Sequence, residues 1–101
     1  MQKNNWYTRK LNNLTFCYHD GISPLIVFEE RNGRTYFKFA KYRVEVIQLT
    51  ADGWIVLKKN NFMGIIDFDG NEILPFEYHS IFSSCSGINV KRGAGFDWEL
   101  A

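Results

Sequence analysis

Turn signals recur along this chain at intervals of one or two dozen residues or fewer, and that rhythm restricts its fold more than any other feature. They are Asp20-Gly21, Asn32-Gly33, Asp52-Gly53, Asp69-Gly70, Ser86-Gly87 and Gly93-Ala94-Gly95. Asn-Gly and Asp-Gly supply the positive φ angles that two-residue hairpin turns require. The runs between them are rich in β-branched and aromatic residues, which suit a pleated, half-buried surface. Aromatic residues make up 17% of the chain, well placed for such surfaces. Helical periodicity is weak throughout. The expected fold is all-β: an antiparallel sandwich or half-open barrel built from hairpins.

Strands are expected near 6–10, 14–18, 25–31, 34–40, 43–50, 54–59, 63–68, 72–74, 79–82, 88–91 and 96–100. In the hairpin around Asn32-Gly33, strict alternation puts Thr35, Phe37 and Phe39 on one face and Arg34, Tyr36 and Lys38 on the other. The apolar phase of the 41–50 segment changes after Val46, which predicts a bulge or bend near Val46–Ile47. The large apolar residues of Phe96–Leu100 predict a C-terminus tied to the rest of the fold.

With 101 residues the chain is expected to form one β domain over residues 1–101. Apolar residues reach 46% and charged residues 23%, enough for a core and against global disorder. The formal net charge of +1 gives no bulk field to draw in nucleic acid or an anionic membrane. No apolar run approaches the ~20 residues of a membrane helix, and no secretory leader is visible, so a cytoplasmic protein without membrane contact is expected. Cys17 and Cys85 lack CxxC spacing and are expected to stay reduced.

The segment from Trp54 onward carries a recognisable pattern. Lys58-Lys59 ends a strand, Gly64-Ile65-Ile66-Asp67 forms the next, Asp69-Gly70-Asn71-Glu72 turns, and Ile73-Leu74-Pro75-Phe76-Glu77-Tyr78 follows. This resembles the WG-repeat family of bacterial proteins, over about residues 54–91 and in a single degenerate copy. Met63 stands at the family's Trp and His79 at its Asp. The resemblance implies a β scaffold used for binding, and some short members resemble immunity proteins that neutralise toxins of contact-dependent growth inhibition. The residues themselves point to structural roles: Gly64 to a close backbone approach or bulge, Pro75 to a strand end or sheet edge.

Catalytic constellations are sparse. His19 and His79 could act as a general acid–base pair of a small metal-free hydrolase or nuclease only if the fold brings them together. Asp67 and Asp69 share a strand face, but no third metal ligand accompanies them. No P-loop, dinucleotide fingerprint or zinc spacing is present. No cofactor or metal is expected, and a non-enzymatic role follows.

The favoured reading is therefore a protein-binding module whose partner is a cognate toxin. Interface hot spots favour Trp, Tyr and Arg, which selects Trp6, Tyr7, Arg9, Tyr36, Tyr42 and Trp98. A basic toxin would need an acidic patch, for which Glu29, Glu30, Glu45, Asp97 and Glu99 are the candidates. An exposed edge strand could also pair with a partner strand. The alternative is a nucleic-acid-binding β domain, with Lys38, Lys41, Tyr42 and Arg43 and then Lys91, Arg92 and Phe96 interleaving charge with aromatic rings.

Overall fold

A computed structural model describes residues 6–101, and every element in it is a β-strand. The strands are β1 (Tyr7–Leu11), β2 (Leu14–Tyr18), β3 (Ser23–Arg31), β4 (Arg34–Leu49), β5 (Trp54–Lys59), β6 (Phe62–Asp67), β7 (Glu72–Tyr78), β8 (Ser80–Ser84), β9 (Gly87–Lys91) and β10 (Glu99–Leu100). Strands β1 to β7 are hydrogen-bonded neighbours in chain order in one open sheet; β10, β9 and β8 form a second. The fold is all-β and antiparallel, and the larger sheet does not close into a barrel. No helix among the described residues is long and apolar enough to cross a membrane.

The chain divides into two compact units, Met1–Val46 and Ile47–Ala101. In the first, β1 to β4 form an antiparallel meander. Its turns follow local chemistry: Asn32 and Gly33 both take positive φ, 53° and 75°, as a type I′ turn demands. Asn12 does the same at the β1–β2 turn, with φ 56°. The Asn12-Asn13 turn was not among the sequence signals, because Asn-Asn is a weaker mark than Asn-Gly. Between β2 and β3, the Ser23 hydroxyl accepts the His19 amide and donates to the Pro24 carbonyl, so this buried polar group is satisfied.

One face of this meander is buried through Leu14, Phe16, Leu25 and Val27, with Phe16 directly opposite Val27. The other face carries the half-buried Thr15, Cys17, Ile26 and Phe28. Two bulges in β4 alter the expected alternation. Val27 pairs with Phe39 but the adjacent Phe28 pairs with Phe37, so Lys38 is an extra residue. Phe37 and Phe39 therefore point to opposite faces rather than sharing one, and Phe37 is 64% exposed, edge-on to Phe28. The second bulge spans Tyr42 and Arg43, where the register passes from Leu25–Lys41 to Ser23–Val44 and Arg43 takes φ 58°. The irregularity expected near Val46–Ile47 thus lies earlier; Val46–Ile47 is where the chain passes from the first unit to the second.

In the second unit, β5 and β6 are joined by Asn60-Asn61, both at positive φ. Val56 and Ile65 lie opposite one another on one face and form a core with Tyr78, Ile81 and Val90. Trp54, Met63, Leu74 and Ile88 flank it, so the three-stranded sheet packs on β5–β7 as one layer on another. Ile55, Leu57 and Ile66, on the opposite face of β5 and β6, are also fully buried. Each such aliphatic side chain contributes roughly 1.5–3 kcal/mol. Central strands buried on both faces explain the unbroken apolar runs there.

Strand β7 is longer than the expected 72–74 segment because it continues through two irregularities. Met63 pairs with Tyr78, Ile65 with Leu74 and Ile66 with Glu72. Pro75 sits inside the first bulge, on the last strand of the larger sheet, where its missing amide costs no ladder bond. At the C-terminus only Glu99 and Leu100 form a strand, paired with Val90 and Asn89, and the Ala101 amide bonds the Ile88 carbonyl.

Candidate partner-binding surfaces

The outer face of the three-stranded sheet is built by alternation. Because Val90 and Ile81 point into the core, Asn89, Lys91 and Phe82 point out. Leu100 lies opposite Asn89 and leans towards Gly87, where an added Cβ would stand 3.7 Å from a Leu100 methyl. Next to it, Trp98 receives the Lys91 ammonium 5.8 Å from its ring centroid. Phe82, Trp98 and Leu100 are 56%, 48% and 72% exposed. Phe82 and Leu100 thus flank Asn89 from the two neighbouring strands while Trp98 lies by Lys91, and no carboxylate points from this face in β8 or β9.

The neighbouring acidic candidates are differently placed. Glu99 points the other way and pairs with Arg92 at 3.5 Å, while the Arg92 guanidinium also covers the buried Tyr78 ring. Asp97 is exposed. Trp98 was selected from the sequence; Phe82 and Leu100 were missed, since only the pairing register puts them either side of Asn89 on the face that carries Lys91.

In the first unit, Trp6 and Tyr7 stand where β1 begins. The Tyr7 hydroxyl donates to Asp20 Oδ2 at 2.7 Å and its ring packs near Tyr18. That hydrogen bond, then the charge of Asp20, holds the Tyr7 pKa above its ordinary value. Trp6 packs edge-on against His19 with ring centroids 4.0 Å apart. The His19 Nε2 is buried without a hydrogen-bond partner among the described residues. Arg9 is exposed on the same strand.

At the far end of the β3–β4 hairpin, Arg31 lies over the Tyr36 ring at 4.4 Å and pairs with Glu29 at 3.7 Å. Asn13 also donates to Glu29, whereas Glu30, next along the strand, points to the opposite face opposite Thr35. Glu29 and Glu30 are therefore not brought together, and Glu29 is already compensated. Glu45 is half-buried beside the buried Val44, and Tyr42 is exposed at the second bulge.

The remaining chemical candidates are ordinary in their surroundings. His79 is exposed and shares a hydrogen bond between Nδ1 and the Ser80 hydroxyl. Asp67 organises the β6–β7 turn rather than a metal: one oxygen accepts the amides of Asp69 and Asn71 and the other the Asn71 side chain. Desolvation opposes its charge, but these bonds together with the Gly70 amide outweigh it and hold its pKa below the ordinary value. Among the described residues no three His, Cys, Asp or Glu side chains converge as metal ligands, and Cys17 and Cys85 are both free. No family model, curated protein or solved structure matches the chain.

Proposed function

We propose that this chain is a non-catalytic protein-binding module, an immunity-type protein that occludes a cognate bacterial toxin in the cytoplasm. The observation that carries this reading is the exposure of Phe82, Trp98 and Leu100 on the same sheet face as Lys91, with Trp98 beside its ammonium. Large apolar side chains gathered on one exposed face mark interaction sites, and Trp is among the residues hot spots favour. Lys91 and the lack of acidic residues in β8 and β9 suit an acidic region of the partner rather than a basic one. The WG-repeat-like turn and bulge chemistry of residues 54–91 supports a scaffold role for the β6–β7 segment.

The test is co-purification with the secreted toxin encoded by the neighbouring gene. Nanomolar binding is expected, and Phe82→Ala or Trp98→Ala should each weaken it at least about tenfold, or 1.4 kcal/mol. Failure to bind any neighbour's product would sink the immunity reading; binding indifferent to both substitutions would move the interface elsewhere.

A second reading rests on the same side chains. Phe82 and Trp98 could stack bases while Lys91 meets a phosphate, as single-strand binders do. Binding to an oligonucleotide that falls steeply with salt would favour it over the protein partner.

A further inference from the structure

A sheet edge with free amides is a template for another strand, and folded proteins blunt such edges. Most edges here are blunted. Strand β7 carries Pro75 and two bulges, β10 has two residues, and the Ile81 amide of β8 is taken by the Met63 sulfur at 3.2 Å. Strand β1 has none of these devices. It pairs with β2 without interruption from Tyr7–Tyr18 to Leu11–Leu14, and no strand among the described residues pairs with its other side.

The two-residue turn fixes which amides are free. Leu11 and Leu14 flank it and must exchange both hydrogen bonds, so Arg9–Phe16 and Tyr7–Tyr18 do likewise. The amides and carbonyls of Thr8 and Lys10 consequently point outward.

We propose that β1 is a self-association edge, pairing antiparallel with β1 of a second copy about a two-fold axis at Thr8. In that register Thr8 faces Thr8, Tyr7 faces Arg9 of the second copy, and Trp6 faces Lys10. Each cation meets an aromatic ring across the strands. Both rings are already braced, Trp6 by His19 and Tyr7 by Asp20. The Asp20 carboxylate also lies beside the place where the incoming Arg9 arrives. Neighbouring registers are worse: Thr8 opposite Lys10 sets Arg9 against Arg9, and Lys10 opposite Lys10 repeats the clash. The contact is isologous, so it closes as a dimer and does not propagate.

The test is the mass of the full chain by sedimentation across the micromolar range, with no partner added. Wild type should be a concentration-dependent dimer. Thr8→Pro removes an outward amide that the hairpin does not use, and should give a folded monomer by circular dichroism. Should Thr8→Pro fail to fold, Arg9→Glu at an exposed position sets a carboxylate near Asp20 and should likewise give a monomer. Phe82→Ala should leave the dimer intact. A wild type that stays monomeric overturns the proposal, as does a dimer that survives in folded Thr8→Pro or in Arg9→Glu. None of these outcomes depends on a toxin, so this edge and the immunity reading stand or fall separately.

Discussion

The ring of Phe76 lies against the backbone of Gly64 so closely that a Cβ on Gly64 would come within 3.0 Å of it. The same Cβ would stand 2.9 Å from the Leu74 carbonyl. The β7 bulge containing Pro75 folds Phe76 over Gly64, and only a residue without a side chain permits it. Gly64→Ala should therefore destabilise the fold by about 1–3 kcal/mol, the usual cost of overpacking. Urea unfolding measures it, and an unchanged midpoint would show that β7 relaxes freely.

Asp67 ties pH to stability at the β6–β7 turn. Its folded pKa is lowered, so its charged form stabilises the protein above the unfolded value and that contribution is lost as pH falls through the folded one. Asp67→Asn should be less stable than wild type at neutral pH. The gap should narrow below the ordinary carboxylate range, in parallel denaturation curves at neutral and acidic pH.

Tyr7 behaves in the opposite sense. Its hydrogen bond to Asp20 favours the neutral phenol, so its contribution is complete below the unfolded pKa and fades as pH rises through the raised folded value. The difference between the alkaline absorbance titrations of wild type and Tyr7→Phe should place Tyr7 above a free tyrosine. Asp20→Asn should bring it down.

Binding and folding should separate on the three-stranded sheet. Trp98 is half-exposed on its outer face, and Trp98→Ala should cost stability less than about 1 kcal/mol. Ile65, wholly buried in the core beneath, should cost about 2–5 kcal/mol as Ile65→Ala. Thermal melts of both variants give the comparison; equal losses would mean that Trp98 belongs to the core.

Strand identity was legible in the sequence because turn chemistry is local. Leu14–Tyr18 and Trp54–Lys59 have the expected bounds, and Asn32-Gly33 takes the expected turn geometry. Orientation was less legible. Side-chain direction in a strand has a period of two, so the single extra residue at Lys38 reverses Phe37 relative to Phe39. That bulge has no turn signature, because it arises from fitting β4 to β3.

The candidate surface divides along the same line. Trp98 and Lys91 stood out as an aromatic and a cation near the C-terminus, but Phe82 and Leu100 join them only through the registers of β8, β9 and β10. By itself the sequence determined the hairpin architecture and the positive φ at its Asn-Gly and Asp-Gly turns, both properties of neighbouring residues. Tertiary structure alone decided which charges are compensated, which aromatics share a face and which edge stays open. Those properties depend on hydrogen-bond pairing between strands, and a single strand does not encode its own register.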